Sequence, residues 1–345
     1  MNALYYETFQ GPISYREVPS PDPNATGVII KVKATGLCLS DWHGWMGHDK
    51  DILLPHVPGH ELAGVVVETG KEVRKFHKGD RVTVPFVGGC GRCSTCLSGN
   101  HQVCPDQFQP GFTAWGSFAE YVAIDYADTN LVKLPEEIDY VTAASLGCRF
   151  ATSFRGVVDQ GRVRGGEWVV VFGCGGVGLS AIMIAHGLGA QVLAVDIADE
   201  KLAFAQSLGA HAVLNSQTVE DVPEAICEMI GGGAHLTVDA IGNQSVVQTA
   251  LLSLGRRGRH VQIGILPPEK ALAPIPMDRV IAYELELYGS HGMQAFRYHE
   301  MLQMILSGRL SPQQLVAETV SLESAAQLLP KMHKAQQAGV RVITI

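Results

Sequence analysis

The segment Trp168-Val-Val-Val-Phe-Gly-Cys-Gly-Gly-Val-Gly178 decides the fold of this chain of 345 residues. Its first five residues are apolar and mostly β-branched, which predicts a buried strand. A G-x-G-x-x-G run follows this strand and begins a stretch of helical character. In that context the glycines allow a pyrophosphate to lie on free N–H groups at the positive end of a helix. The sequence therefore predicts a dinucleotide site at Gly173, Gly175, Gly176 and Gly178.

Asp196 ends the next predicted strand, 18 residues after Gly178. A carboxylate in this place accepts hydrogen bonds from both hydroxyls of an adenosine ribose. It would repel a 2′-phosphate, and no arginine follows directly to bind one. The pattern therefore favours NAD over NADP. Lys201 can reach the ribose or the adenine edge from the next helix, although a surface lysine without a ligand fits the same position.

From about residue 152 onward, strands and helices alternate, which predicts a parallel, doubly wound sheet. The predicted strands are Gln191–Asp196, Ala212–Asn215, Leu236–Ala240 and His260–Ile265, and the predicted helices are Gly176–Gly189 and Glu200–Leu208.

The first 150 residues instead contain short strands separated by Pro and Gly, which predicts a β-rich, barrel-like domain. Examples are Val28–Ala34, Glu61–Thr69 and Asp80–Pro85. The tail has predicted helices at Tyr298–Leu306 and Leu322–Leu329 and a strand at Val340–Ile345. The expected fold class is α/β combined with β.

Composition and charge exclude several classes of protein. A net charge of −8 and a pI near 5.9 argue against nucleic acid or an anionic membrane as the main partner. No charged residue occurs between Trp168 and Val195, but six glycines divide this run into strand, turn, helix and strand. We therefore expect no membrane span. No signal peptide is recognisable, so we expect a cytoplasmic, reducing environment.

Four cysteines, Cys90, Cys93, Cys96 and Cys104, follow the spacing C-x2-C-x2-C-x7-C. Tetrahedral zinc binds four thiolates at about 2.3 Å, so the loop must bring all four sulfurs into one small sphere. Glycines beside the cysteines provide the backbone freedom that this requires. Two disulfides and an iron–sulfur cluster are the alternatives, of which a reducing compartment disfavours the first. The pattern favours a structural zinc.

Three further residues, Cys38, His60 and Cys148, offer two thiolates and one imidazole. This is a ligand set known for catalytic zinc that keeps an open fourth position. Taken singly, each residue fits equally well as an ordinary buried Cys or a hydrogen-bonded core His. Asp41 is suited to bind the far nitrogen of His60 and to turn the other nitrogen toward a metal.

In combination these segments resemble the zinc-dependent medium-chain alcohol dehydrogenases over essentially the whole chain. The resemblance is carried by Cys38-Leu-Ser40-Asp41-Trp-His43, Gly59-His60-Glu61-x-x-Gly64, the Cys90–Cys104 quartet, Leu146-Gly147-Cys148 and the Gly173–Gly178 turn. It implies a GroES-like catalytic domain from residues 1–150 and 291–345, with a Rossmann NAD-binding domain at 151–290 between them. It also implies two zinc ions per chain, with Glu61 behind the catalytic metal as an occasional ligand, and a homotetramer.

The activity that the resemblance implies is hydride transfer between NAD and a primary alcohol, aliphatic or aromatic. The Ser40 hydroxyl would receive the proton, the nicotinamide ribose would carry it on, and His43 would release it to solvent. Further matching positions have expected roles: Thr152 and Val177 against the nicotinamide, Arg341 at the pyrophosphate, and Trp45 and Phe86 in the substrate pocket, with Trp115 nearby.

Three other functions fit the same pattern. A polyol or amino-alcohol dehydrogenase of this superfamily commonly carries Glu at the position of Cys148, so Cys148 favours simple alcohols. The glutathione-dependent, formaldehyde-processing relatives usually have longer chains than this one, which makes that function less favoured. A non-catalytic NAD-binding protein of this fold would not need the metal ligands and relay residues.

Overall fold

A computed structural model describes residues 1–267, 271–334 and 338–345. The strands in these ranges are β1 (Asn2–Tyr5), β2 (Ser14–Glu17), β3 (Val28–Leu37), β4 (Leu62–Thr69), β5 (Arg81–Thr83), β6 (Tyr121–Ile124), β7 (Val132–Lys133), β8 (Trp168–Phe172), β9 (Gln191–Asp196), β10 (Ala212–Asn215), β11 (Ala234–Asp239), β12 (Leu254–Gln262), β13 (Glu286–Gly289), β14 (Val316–Ser321) and β15 (Val340–Thr344).

The α-helices are α1 (Leu39–Met46), α2 (Ser94–Leu97), α3 (Ala127–Asn130), α4 (Tyr140–Ala144), α5 (Ala151–Arg155), α6 (Gly176–Gly187), α7 (Asp199–Ser207), α8 (Val222–Ile230), α9 (Gln244–Leu252), α10 (Met277–Tyr283), α11 (Tyr298–Leu306) and α12 (Leu322–Leu328). π-helical turns occur at Leu146–Phe150 and Gly156–Gln160, and 3-10 turns at His101–Val103, Ala295–Arg297, Pro312–Leu315 and Leu329–Lys334.

Six strands form a fully parallel sheet in the order β10-β9-β8-β11-β12-β13. From β8 the chain adds β9 and β10 on one side and then β11 to β13 on the other, so the glycine turn after β8 lies at the switch point where doubly wound sheets bind ligands. Val169, Val170 and Val171 of β8 are fully buried, as expected for a strand with helices on both faces. The prediction of a doubly wound sheet is confirmed.

The second large sheet has the order β14-β15-β3-β4-β5-β7, and β6 also pairs with β3. Its pairs are antiparallel except for β14–β15. Strand β15 pairs with β3, so the tail returns to the first sheet as the resemblance implied. Cys38 directly follows β3, and His60 and Glu61 directly precede β4. The pairing of β3 with β4 therefore places these residues close together.

A helical connector, residues 140–160, links the two sheets. It consists of α4, a π-helical turn, α5 and a second π-helical turn. The Ser153 hydroxyl donates to the Val177 carbonyl at 2.7 Å and so attaches α5 to α6. Cys148 lies in the first π-helical turn, on the same connector that packs against the dinucleotide-binding helix.

The observed bounds differ from the predicted ones where side chains intervene. The strand predicted at His260–Ile265 runs from Leu254 to Gln262. It ends there because the Gln262 amide donates to Asp239 and to the Gly264 carbonyl, which turns the chain away from the sheet. Within the described residues, no helix is long and apolar enough to cross a membrane.

Candidate metal and cofactor sites

Cys38, His60 and Cys148 come together as predicted. Their ligand atoms, two Sγ and one imidazole nitrogen, all lie within 4.8 Å of one another. Cys38 and His60 are buried, and Cys148 is partly exposed. The three residues come from the end of β3, the segment before β4 and the helical connector. Long-range folding therefore assembles one small, mostly buried site from distant parts of the chain.

The orientation of His60 fits a metal ligand. Its Nδ1 lies 2.8 Å from Asp41 Oδ1, and Asp41 also accepts hydrogen bonds from the backbone N–H groups of Cys38 and Gly59. His60 Nε2 is buried and has no hydrogen-bond partner among the described residues. A buried imidazole nitrogen without a partner is costly unless a ligand binds it. Asp41 thus fixes the tautomer that leaves Nε2 free to bind a metal.

The two thiols of this site differ in acidity. A hydrogen bond from the Cys148 thiol holds the pKa of Cys38 well below its usual range, and burial opposes this shift. The same hydrogen bond, together with burial, raises the pKa of Cys148. Burial also disfavours the charged form of His60, but the Asp41 carboxylate outweighs it and raises the His60 pKa. The site therefore already favours a thiolate at Cys38, the form that binds a metal.

A buried ion pair lies behind this cluster. Glu61 is fully buried and accepts hydrogen bonds from the backbone N–H groups of Cys148 and Arg149. The Arg149 guanidinium binds both Glu61 oxygens, through Nε at 3.1 Å and through Nη2. A Cβ at Gly36 would lie 2.2 Å from Glu61 Oε2, so this position of β3 requires glycine. Sequence reasoning missed Arg149, although a cation directly after Cys148 and a buried Glu beside His60 were the available signal.

The four cysteines of the second cluster also meet, with all Sγ atoms within 4.8 Å of one another. Cys104 Sγ lies 3.7 Å from Cys93 Sγ and 3.6 Å from Cys90 Sγ. Sulfurs on a tetrahedron around zinc, with bonds of about 2.3 Å, lie about 3.8 Å apart. None of the four forms a disulfide. The separations fit a single tetrahedral ion, which favours zinc over the two alternatives.

Two features of the loop make this arrangement possible. A Cβ at Gly89 would lie 2.8 Å from Cys96 Sγ, so the sulfur occupies the space that a side chain would need. Gly91 has a φ of +73°, which glycine adopts at little cost. Hydrogen bonds from the backbone N–H groups of Arg92 and Cys93 lower the pKa of Cys90 to about 6, against the effect of burial.

The glycine turn after β8 has the geometry of a dinucleotide-binding turn. Gly173 has a φ of +94°, and a Cβ at Gly178 would lie 1.7 Å from the Gly173 carbonyl oxygen. Gly178 thus permits close packing of α6 on the turn, whereas a Cβ at Gly175 would meet no atom within 4 Å. No side chain caps α6, so its first N–H groups are available to a phosphate.

Asp196 stabilises the turn at the end of β9. Oδ2 accepts a hydrogen bond from Cys174 N at 2.7 Å, and Oδ1 accepts from Ile197 N and Ala198 N. The carboxylate therefore joins the glycine turn to the start of α7. A carboxylate offers about four acceptor positions, so capacity for a ribose hydroxyl is left. Lys201 lies in the first turn of α7.

The proposed relay residues lie on α1. Ser40 Oγ is 3.7 Å from Cys38 Sγ, and His43 is exposed three residues further along the helix. His43 Nδ1 lies 2.8 Å from Nδ1 of His48, a partner that sequence reasoning missed. Burial and the neighbouring His48 lower the pKa of His43. Thr152 is buried on α5, next to the serine that binds Val177.

The aromatic residues divide into two groups. The Phe86 ring lies 6.1 Å from the His60 ring, and Phe112, which sequence reasoning missed, lies 5.2 Å from it. Trp45 instead donates to the Gly11 carbonyl and packs against the N-terminal strand. Trp115 contacts the Tyr5 ring at 5.9 Å and donates to the Pro55 carbonyl. The structure thus brings Phe86 to the cluster of Cys38, His60 and Cys148, called the metal cluster below because it could hold a metal ion. Both tryptophans lie in the packing of the N-terminal lobe.

Arg341 lies on β15, and its Nε donates to Glu318 of β14 at 2.8 Å. The hydrogen bond holds the guanidinium beside the neighbouring strand. The role of Arg341 at a pyrophosphate stays a prediction.

Comparison with known proteins agrees with this geometry. Residues 24–136 match the family model of the alcohol dehydrogenase GroES-like domain, and residues 176–307 match that of the zinc-binding dehydrogenases. An alcohol dehydrogenase of Geobacillus stearothermophilus is 34% identical over 352 residues, which cover 100% of both chains.

Two solved structures are similar over the whole chain. One is an NAD-dependent alcohol dehydrogenase with a TM-score of 0.89 and 30% identity, covering 100% of both chains. The other is the alcohol dehydrogenase TADH from Thermus sp. ATN1, with a TM-score of 0.91 and 28% identity, covering 100% of this chain and 99% of that one. This chain therefore belongs to the zinc-type medium-chain alcohol dehydrogenase family.

Proposed function

We propose that this chain oxidises primary alcohols, aliphatic or aromatic, to aldehydes with NAD as the hydride acceptor. The observation that carries the proposal is the cluster of Cys38, His60 and Cys148, with the unpartnered Nε2 of His60. Three protein ligands of this kind would hold a catalytic zinc and leave a position for the substrate oxygen. When bound, zinc lowers the pKa of an alcohol and polarises a carbonyl, and NAD accepts the hydride.

The surrounding residues keep the three ligands in their places. Asp41 orients His60 and also binds the backbone at Cys38. Glu61 holds the backbone N–H of Cys148, while Arg149 neutralises the Glu61 charge. Arg149 binds both Glu61 oxygens, so the carboxylate supports the cluster from behind, and Oε2 keeps an acceptor position for occasional metal binding.

The proton path that we propose begins at the Ser40 hydroxyl beside Cys38 and ends at His43. A histidine that accepts a proton at Nε2 must carry its own proton on Nδ1. In that tautomer His43 Nδ1–H donates to His48 Nδ1, as the 2.8 Å separation allows. The lowered pKa of His43 keeps this residue neutral, and therefore able to accept a proton, to more acidic pH.

NAD, rather than NADP, is the cofactor that we propose. Asp196 is 9% exposed, and no basic residue follows it within the loop before α7. A phosphate at the ribose would meet this carboxylate directly. One of the similar solved structures is described as NAD-dependent.

A second, structural zinc on the four cysteines from Cys90 to Cys104 completes the proposed metal content. We further propose the domain division at 1–150 with 291–345 and at 151–290, and a homotetramer. The parallel sheet and the sheet that β15 rejoins support the division. Light scattering on the purified chain would determine the assembly.

The main experiment measures NADH formation from ethanol, benzyl alcohol, sorbitol and threonine by the zinc-loaded protein. We expect turnover of the two primary alcohols, and preferential turnover of sorbitol or threonine would contradict the proposal. Cys148→Ser should reduce zinc from two ions to one per chain and abolish turnover, while the control Cys227→Ser should change neither. In parallel, Asp196→Ala should erode the preference for NAD; a wild-type protein that prefers NADP would refute the cofactor proposal.

A further inference from the structure

A cavity of about 510 Å³ lies between the loop of four cysteines, the helical connector and the parallel sheet. The loop of four cysteines contributes Gln102, the helical connector contributes Arg155 and Gln160, and the carboxyl ends of β12 and β13 contribute Gln262, Ser290 and His291. None of the described residues that line it is acidic. Hydrogen-bond donors and one cation therefore surround a space large enough for a small ligand.

Arg155 is the cation of this cavity, and most of its donors are unused. Among the described residues its one hydrogen-bond acceptor is Ser290 Oγ, at a long 3.4 Å from Nη1. The nearest acidic partner on its own segment, Asp159, instead binds Arg297 at 2.6 Å. Burial lowers the pKa of Arg155, and the nearby Asp159 charge offsets this shift only in part. A guanidinium in such a site is suited to bind a carboxylate through two parallel hydrogen bonds.

Gln102 also lines this cavity. Its side chain is 2% exposed and lines the cavity, and its Oε1 has no hydrogen-bond partner within the described part of the chain. Buried amide groups without partners are uncommon in folded proteins. A carboxylate has no donor to offer this oxygen, so a contact with an acid group is assigned to Arg155 alone.

The cavity is connected to the metal cluster by two aromatic contacts. The His291 ring lies 5.3 Å from the Phe86 ring, edge to face, and Phe86 lies 6.1 Å from the His60 ring. Burial and the Arg155 charge lower the pKa of His291, so this residue is neutral and Arg155 is the charged group that a ligand would meet. A chain that starts at the metal and passes Phe86 would end at Arg155.

We propose that this cavity binds a carboxylate at the far end of the alcohol, so that the preferred substrates are primary alcohols bearing an acid group several carbons away. This inference rests on the proposed function and narrows its substrate class. No covalent step is added: Arg155 binds the carboxylate at the tail, and oxidation takes place at the other end.

The test compares matched pairs of substrates with the zinc-loaded enzyme and NAD. The pairs are 4-hydroxybutanoate with 1-butanol, 6-hydroxyhexanoate with 1-hexanol, and 8-hydroxyoctanoate with 1-octanol. At one or more lengths we expect kcat/KM to be about tenfold higher for the hydroxy acid, at the lower end of what a charge-assisted hydrogen bond contributes. Arg155→Gln should bring this ratio to about one by raising KM, and Arg155→Lys should retain part of it.

Arg164→Gln is the matched control. Arg164 is exposed and does not line the cavity, and its replacement removes the same charge as Arg155→Gln. Its ratio should equal that of the wild type. Oxidation of the plain alcohols with no preference for any acid, or a preference that survives Arg155→Gln, would overturn the inference and leave the proposed function intact.

If no alcohol is turned over, calorimetry can still test the cavity separately from the proposed function. It measures binding of 8-hydroxyoctanoate to the zinc-loaded, NADH-bound protein. Binding that Arg155→Gln weakens would then support the cavity and refute the proposed function. Absence of binding, or binding that the substitution leaves unchanged, would refute the cavity.

Discussion

The replacement Arg149→Met tests the buried ion pair behind the metal cluster. The side chains of Arg149 and Glu61 are 10% and 0% exposed, so the substitution leaves a carboxylate buried without its cation. Removing one partner of a buried pair costs about 3–5 kcal/mol. Two backbone N–H groups still donate to Glu61 after the change, so we expect a value near the lower end, about 3 kcal/mol.

This cost should be visible as a lower melting temperature. With about 2.1 cal/mol/K of unfolding entropy per residue, a chain of 345 residues that unfolds as one unit would lose about 4–7 °C for 3–5 kcal/mol. Scanning calorimetry of the zinc-loaded protein measures this shift. Glu61→Gln combined with Arg149→Met should recover much of the loss, because the buried charge is then absent.

Arg257→Met is the matched control for this experiment. Arg257 and Glu284 form an ion pair of the same type, but their side chains are 68% and 71% exposed. Exposed pairs contribute less than about 1 kcal/mol. If Arg149→Met lowered the melting temperature no more than Arg257→Met, the assignment of a structural role to the buried pair would be wrong.

Three further predictions follow from the sites. Cys93→Ser should remove one zinc per chain and lower the melting temperature while the other metal stays bound, as elemental analysis would show; an unchanged metal content would contradict the four-cysteine site. Burial lowers the pKa of His43 most and the His48 charge lowers it further, so His48→Gln should move the acid limb of kcat/KM part of the way to higher pH; no movement would argue against His43 as the final proton acceptor. Gly178→Ala should destabilise the fold because its Cβ would meet the Gly173 carbonyl, whereas Gly175→Ala should preserve the melting temperature and weaken NAD binding; equal stability losses would refute this division of roles.

The sequence predicted the parallel sheet well because its strands and its glycine turn are local signals. The bounds of Gln191–Asp196, Ala212–Asn215 and Tyr298–Leu306 agree with the structure. The short edge strand Glu286–Gly289 was not predicted. Two of its residues are partly buried and two are exposed, so it lacks the continuous burial of the central strands. Local periodicity thus identified the central elements and failed at the edge.

For the metal cluster, residue type and the resemblance were sufficient to select Cys38, His60 and Cys148. The partners Arg149 and His48 depend on side-chain direction, which sequence spacing does not contain. The same limit explains why Trp45 and Trp115, both plausible from sequence as pocket residues, lie in the packing of the N-terminal lobe. Residue types thus indicate which chemistry a site can perform, whereas the contacts between side chains are known only from the fold.

The pairing of β15 with β3 affects the order in which the two sheets can fold during synthesis. Strand β3 leads directly to Cys38, yet its neighbour is translated after the entire parallel sheet. A nascent chain therefore has an open edge on β3 while the sheet that follows it in sequence is already able to fold. Loss of residues 340–344 by proteolysis or a premature stop would leave that edge exposed to other chains, so such truncated forms should aggregate.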